Sequence, residues 1–421
     1  MVVMMGRLAP GAQQGAGLGG LPPAGYGELK QGQPVDSPMS LLVRQVHAAG
    51  YRSLRKISFP VDRLTVFLGA NGVGKTNLYR ALQLIQAAAA GTLARELAAE
   101  GGMESAFWAG ERPQKPPPVR ITLGAEFATM AGGARSYAYE VSVGLRHPTA
   151  AALPFEPLVK EETLTFHHRG RGQKLLERRG PAVTACNESG RWVEIGAELL
   201  ASETALGSLQ DPAGFPDLHL VRRTMLDWRF YHEMRTDAGS ALRRPCLAVT
   251  SPSLDSDGSN LAAVFATLVH IREDTADLDR AIEEAFPGAR LVVPAPGRDA
   301  GFGMIFPDYP KRVFEAAELS DGTLRYLALA GALLAYRLPA FIALNEPETS
   351  LHPDLLDPLA RLIARSAERS QIWLVTHSQI LAAALAEHGA IAPRIVIKRD
   401  GETWMEGLRL LGDFAEPEEE S

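Results

Sequence analysis

Cysteine is scarce in this sequence, with two residues, Cys186 and Cys246, in 421. They lie far apart and fit no metal-ligand spacing. A disulfide framework and a zinc module are therefore excluded, and both read as reduced bystanders of a cytoplasmic protein. No apolar run is long enough to span a bilayer, and the N-terminus lacks a basic-then-apolar signal segment. An excess of positive charge is also missing. The formal net charge is -6, so no global basic surface exists, and a nucleic-acid partner would have to use a local patch. No heptad repeat is sustained, which excludes a long coiled coil. What the chain does have is length and 46% hydrophobic residues, enough for a substantial core in one large domain or two lobes.

The stretch that organises the rest is Gly69-Ala70-Asn71-Gly72-Val73-Gly74-Lys75-Thr76. It fits the phosphate-loop pattern G-x-x-x-x-G-K-[ST] at every fixed position. Leu64–Leu68 before it is apolar and β-branched, as a buried strand is, and Leu78, Leu82 and Ile85 after it recur at helical spacing. Glycines let backbone N–H groups close around phosphate oxygens, and the helix N-terminus adds positive potential. Lys75 would reach the β- and γ-phosphates, and the Thr76 hydroxyl would bind Mg²⁺.

Elsewhere the pattern is mixed. Residues 1–40 are rich in Gly, Ala and Pro and are expected to be a disordered leader; a start codon called too early would give the same composition. Leu41–Val46 and Ile57–Phe59 read as short strands. Tyr51 and Arg52 between them either flank an adenine ring or form a plain surface turn. Val119, Ile121 and Leu123 alternate with polar neighbours, as do Tyr137, Tyr139, Val141 and Val143, which predicts an antiparallel hairpin. Further strands are expected at 158–166, 173–178 and 191–195. His167-His168 has no third ligand in sight and reads as a strand-end pair. Asp255 and Asp257 hint at a calcium loop whose remainder is missing. From about 196 to 290 the pattern turns helical, and it carries Arg222, Arg223, Arg229, Arg235, Arg243 and Arg244, with a solvated face as the default reading.

The C-terminal part supplies the second half of a site. Pro339–Leu344 fits a buried parallel strand that ends in Asn345-Glu346-Pro347-Glu348. An acidic pair at such a strand tip handles Mg²⁺ and the attacking water in phosphate-loop ATPases. Here Asn345 takes the first place, and Glu346 remains to orient or deprotonate water. Gln371–Val375 is another buried strand, ending at Thr376-His377-Ser378, with His377 placed to touch a γ-phosphate. Glu318–Thr323 opens a helix, and Ser320 with Gly322 at its start makes a second phosphate-binding cap. A second cap makes sense if it serves the nucleotide held by another copy. Asp400-Gly401 is a two-residue hairpin signal.

The order and spacing of these motifs resemble the ATP-binding-cassette superfamily, and within it the RecF/SMC-like heads known as AAA family ATPases, over about residues 41–400. Gly69–Thr76 is similar to Walker A, Leu319–Thr323 to the signature motif, Leu344–Glu348 to Walker B, Ser350–His352 to the D-loop, and His377 to the switch histidine. The resemblance implies an α/β P-loop NTPase of ABC-ATPase type, with a mixed central sheet, an antiparallel β subdomain and an inserted helical lid. It divides the chain into 1–40, 41–195, a lid at 196–290, and 291–421. ATP would be bound by Gly69, Ala70, Asn71, Gly72, Val73, Gly74, Lys75, Thr76 and Asn77. Mg²⁺ would be bound through Thr76 and Asn345, with Glu346 and His377 catalytic. Ser320, Asp321 and Gly322 would act in trans within an ATP-bound homodimer. Asp321, Thr323 and Asn345 depart from the usual residues, and Gln114 is the candidate for the glutamine of the Q-loop. The roughly 240 residues between Thr76 and Ser320 suit a RecF-like head better than a transporter subunit. The expected role is DNA repair, recombination or genome maintenance. The alternative is a regulatory or phage-defence ATPase acting through an unidentified protein partner. No membrane partner is expected.

Overall fold

The computed structural model describes residues 41–110, 119–129, 135–145, 155–195, 199–232, 234–409 and 414. The expected leader at 1–40, Gln114 and the acidic tail lie outside them. Two sheets dominate. The first is antiparallel and contains Leu41–Tyr51 (β1), Leu54–Pro60 (β2), Ile121–Thr129 (β4), Arg135–Gly144 (β5), Leu158–His168 (β6), Arg171–Arg179 (β7), Ala182–Cys186 (β8) and Trp192–Glu194 (β9). Their order is β2-β1-β4-β5-β6-β7-β8-β9. The alternating residues of β4 and β5 pair as the sequence predicts, with Leu123 opposite Val141 and Phe127 opposite Tyr137. Strand β8 went unforeseen because its five residues sit between two turns and complete a meander with β7 and β9.

The second sheet has the order β10-β16-β17-β3-β18-β19. Its strands are Arg229–Tyr231 (β10), Phe341–Asn345 (β16), Gln371–Thr376 (β17), Leu64–Leu68 (β3), Arg394–Arg399 (β18) and Glu402–Met405 (β19). All neighbouring pairs are parallel except β18–β19, the hairpin at Asp400-Gly401. Both turn residues adopt positive φ, 49° and 83°, as a tight primed turn requires. The short strands Cys246–Leu247 (β11), Arg290–Val292 (β12), Asp299–Ala300 (β13), Gly303–Ile305 (β14) and Phe314–Glu315 (β15) form two small sheets of their own.

Parallel strands buried on both faces need cover on both. Phe67, Phe341, Trp373 and Val375 join one core with Lys75–Ala90 (α1), Pro216–Leu226 (α5) and the inner face of the antiparallel sheet. Val66, Ile342, Leu344, Ile372 and Leu374 point the other way. They meet Leu261–Thr267 (α6), Ala276–Ala285 (α7), Asp321–Leu334 (α8), Leu356–Ala367 (α9) and Gln379–Gly389 (α10). Leu93–Ala99 (α2), Gly102–Ala106 (α3) and Ala205–Ser208 (α4) complete the helices. Gln371 at the start of β17 fastens the sheets together. Its Oε1 accepts from Val43 N at 3.0 Å, and its Nε2 donates to Val43 O at 2.7 Å.

The stretch 196–290 reads as helical, yet it also supplies β10, which pairs with β16 through Phe230–Ala343 and Tyr231–Leu344. Three residues are too few to show a strand period.

Candidate functional site

Strands β3, β16 and β17 end in register: Asn345 lies opposite Val375, and Val375 opposite Phe67. The phosphate loop, Asn345-Glu346 and Thr376-His377 therefore emerge side by side at the carboxyl edge of the parallel sheet, where open α/β sheets bind ligands. Gly69 N donates to Thr376 O at 3.3 Å, and Glu346 N to Val375 O at 2.8 Å.

Two glycines shape the loop. Gly72 and Gly74 have φ of 82° and 100°, and Gly74 caps α1. A Cβ on Gly74 would stand 1.8 Å from Thr403 Oγ1 and 2.6 Å from Ser53 Oγ. These two hydroxyls lie 2.6 Å apart; Thr403 Oγ1 also donates to Val73 O, and Asn77 Nδ2 donates to Ser53 Oγ. The loop is thus buttressed from behind by the β1–β2 turn and by β19, and Asn77 belongs to this buttress. Lys75 is buried and donates to Gly69 O at 2.6 Å and Ala70 O at 2.8 Å, inside the ring of the loop. Burial pushes its ammonium below the usual lysine range, against the carboxylates of Glu346 and Glu348, which hold it up. Thr76, one residue on, is exposed.

On the acidic side, Asn345 is 6% exposed. Its Nδ2 lies 2.8 Å from His232 Nδ1, and its Oδ1 is buried with no partner among the described residues. Glu346 adopts φ of 48°, a region that non-glycine residues rarely occupy and that concentrates at functional sites. His377 Nδ1 lies 3.7 Å from Glu346 Oε1 and 3.2 Å from Glu348 Oε1. Glu348, which has no role in the motif reading, organises residues 376–378. Its Oε1 accepts from Thr376 Oγ1 at 2.6 Å, His377 N at 3.0 Å and Ser378 N at 3.3 Å. Arg325 is also buried nearby; desolvation lowers its affinity for its proton, and the charge of Glu348 opposes that.

Ser320 is the N-cap of α8, its Oγ accepting from Thr323 N at 3.1 Å. A Cβ on Gly322 would sit 3.0 Å from Ser350 O, so the signature turn and the segment after Glu348 touch closely. Asp321, where glycine is usual, pairs with Arg243 at 2.6 Å, and Arg243 also donates to Leu319 O at 2.7 Å.

Two sequence-based readings change. Tyr51 is fully buried in β1 and donates to Glu100 Oε2 at 2.8 Å, so it cannot stack on a base. The arginines of 222–244 are not all a solvated face. Arg222 donates to Ala89 O, Arg229 to Trp228 O, and Arg243 to Leu319 O, whereas Arg223, Arg235 and Arg244 are exposed. His167 and His168 end β6, and no cluster of three or more acids, histidines or cysteines placed to hold a metal exists among the described residues. No helix among them is long and apolar enough to cross a membrane.

Residues 64–383 match the family model described as "AAA domain, putative AbiEii toxin, Type IV TA system". The chain belongs to this AAA family. Its site, a phosphate loop at the head of a parallel sheet, is that of a P-loop nucleotide-binding fold. The comparison with curated proteins finds no match. Among solved structures, an Smc head domain from Pyrococcus furiosus with an extended coiled coil, bound to the C-terminal domain of ScpA, is 14% identical. That match covers 87% of this chain and 96% of that chain, with a TM-score of 0.47. An SMC head domain from Thermotoga maritima is 15% identical, with 86% and 97% covered and a TM-score of 0.39.

Proposed function

We propose that this AAA-family chain binds and hydrolyses ATP with Mg²⁺. The observation that carries the reading is the register of β3, β16 and β17. It puts a buried lysine inside a glycine loop beside an acidic strand tip and a histidine. In this reading the loop N–H groups and Lys75 hold the phosphates. The Thr76 hydroxyl and Asn345 Oδ1 would hold the hydrated Mg²⁺, and the partnerless buried oxygen of Asn345 fits that use. Bound there, the ion neutralises phosphate charge. Glu346 takes the proton of the attacking water, and His377, held by Glu348, faces the γ-phosphate.

Ser320, Asp321 and Gly322 are read as contacting the ATP of a second copy, so that hydrolysis follows ATP-driven dimerisation. The middle segment, 196–290, is read as a lid that also lends β10 to the sheet. For the biological role, genome maintenance on DNA needs a basic face. Of the six arginines of 222–244 that would supply it, Arg222, Arg229 and Arg243 are engaged within the fold and Arg223, Arg235 and Arg244 are exposed, which leaves a smaller basic face. That favours the second reading, a regulatory or defence ATPase working through a protein partner, in line with the toxin–antitoxin wording of the family.

Lys75→Ala should abolish ATP binding, measured by calorimetry on the folded protein. Glu346→Gln should keep binding but lose turnover by roughly 100-fold or more, the usual contribution of a general base. Its ATP-bound dimer should accumulate on a sizing column. Normal turnover in Glu346→Gln would refute the assignment of the base.

A further inference from the structure

The neutral residue in the acidic pair is not loosely held. Tyr231, the last residue of β10, pairs with Leu344, and the residue after each, His232 and Asn345, meet side by side. The imidazole lies 5.7 Å from the Tyr79 ring. Asn345 Nδ2 is 2.8 Å from His232 Nδ1, while its Oδ1 is buried without a partner among the described residues. A carboxamide donates only through nitrogen and accepts only through oxygen. With Nδ2 given to His232, Nδ1 must be the acceptor nitrogen of the ring, and Oδ1 is turned away from it. A cavity of about 360 Å³ lined by His232, Arg325, Asn345 and Glu346 opens beside the pair.

We propose that His232 is a positioning residue for Mg²⁺ use, holding the Asn345 amide with its oxygen toward the hydrated cation. Waters around a cation point their protons outward and need acceptors. The reverse amide orientation would offer them an NH₂ group instead. An aspartate at this position has acceptors on both oxygens and needs no such orientation, so the dependence on His232 belongs to the asparagine. This inference rests on the nucleotide-binding reading of the site and names a residue that reading does not contain.

The test is equilibrium binding of a fluorescent ATP analogue to the full chain, with and without Mg²⁺. His232→Phe keeps a ring beside Tyr79 but removes the acceptor, and His232→Asn returns an acceptor oxygen. Mg²⁺-free affinity should be unchanged in both. The Mg²⁺ concentration for half-maximal binding should rise about fivefold in His232→Phe, the weight of one neutral hydrogen bond, and should recover in His232→Asn. In an Asn345→Asp background, His232→Phe should add nothing. Nitrogen NMR of the wild-type imidazole should show Nδ1 without its proton. An unchanged Mg²⁺ requirement in folded His232→Phe overturns the inference, as does the same loss in the Asn345→Asp background or a protonated Nδ1. If the wild type binds no nucleotide at all, the reading of the site falls too. Nucleotide binding whose Mg²⁺ requirement ignores His232 overturns this inference alone.

Discussion

Removing Glu348 tests whether a buried carboxylate, rather than the strand alone, sets the segment that carries His377. Its Oε1 accepts from Thr376 Oγ1, His377 N and Ser378 N, and its side chain is 6% exposed. In Glu348→Ala all three bonds vanish, but the donors do not suffer equally. Ser378 N also donates to Thr376 Oγ1 at 2.9 Å and keeps that partner. The Thr376 hydroxyl and His377 N are left without theirs. A buried donor without a partner costs about 1–3 kcal/mol; the hydroxyl of Thr376, a fully buried residue, bears that in full, and His377 N, in an exposed residue, bears less. Release of the carboxylate's own desolvation offsets part of this, and about 2 kcal/mol of lost stability is expected. Glu348→Gln keeps one acceptor oxygen. It should lose only the difference between a charged and a neutral hydrogen bond, about 1 kcal/mol.

The assay is urea unfolding followed by tryptophan fluorescence, with Trp373 in β17 reporting from the same strand. The order wild type, Gln, Ala should appear as falling midpoints at constant slope. Turnover should fall further than ATP affinity, and more in Glu348→Ala than in Glu348→Gln, because His377 loses its place while Lys75 keeps its bonds to Gly69 O and Ala70 O. A Glu348→Ala protein within about 0.5 kcal/mol of wild type, the range of an ordinary surface change, would refute the reasoning and return the segment to strand pairing alone.

Two other perturbations reach different parts of the molecule. Gly74→Ala combines a left-handed φ with a Cβ 1.8 Å from Thr403 Oγ1, so about 2–4 kcal/mol of stability should be lost along with ATP binding. Adding Thr403→Ala should restore only part of the loss, because the contact with Ser53 Oγ at 2.6 Å and the left-handed backbone remain, as unfolding curves of the two proteins would show; full recovery would mean that neither carries a cost. Glu162 is buried beneath α4, where it accepts from Ala205 N at 2.6 Å, Leu206 N at 3.0 Å and Tyr139 Oη at 2.9 Å. Burial outweighs these bonds and Arg178, and raises its carboxyl above the ordinary range. The folded state therefore holds a proton that the unfolded state has released. That contribution is complete below the unfolded carboxylate pKa and is lost as pH rises through the folded one. Wild-type stability relative to Glu162→Gln should fall with pH over that window, measured by urea unfolding at several pH values, and a rise would contradict the stated cause.

The parts of the site legible in the sequence are those written contiguously. Leu64–Leu68, the glycine loop and α1 follow one another, so strand, turn and helix could be read as one unit. The same holds for β16 with Asn345-Glu346, for β17 with His377, and for Ser320 at the head of α8. Contacts made by distant segments were not legible. The hydroxyl of Thr403 meets Ser53 and Val73 across hundreds of residues, and nothing in either neighbourhood announces the other. Strand β10 was hidden by its length, and with it His232. A signal did exist, since Phe230-Tyr231-His232 ends as Val375-Thr376-His377 does, with a histidine directly after residues that favour strands. Asp321 was legible only as a departure from glycine; its partner Arg243 could not be read, because the pairing crosses 78 residues.

The charge at the sheet edge gives the asparagine a physical rationale. Lys75 and Arg325 are buried cations, each resisted by desolvation and supported by the field of Glu348, with Glu346 also acting on Lys75. Two cations face two carboxylates, so the described groups balance without a bound ion. An aspartate at 345 would add a buried negative charge beside the balanced set, and an unpaired buried charge is costly enough that it is normally neutralised. Such a residue would depend on a cation to remain ionised. Asn345 keeps an acceptor oxygen without that charge, and His232 fixes which way the oxygen faces. On the proposed reading, an asparagine in place of an aspartate would spare the cation-free site that charge and would lower its affinity for a cation. A charged acceptor exceeds a neutral one by on the order of 1 kcal/mol, about fivefold in affinity. Thr76 and the nucleotide phosphates would still supply direct ligands, so the expected consequence is a raised Mg²⁺ requirement rather than loss of the site.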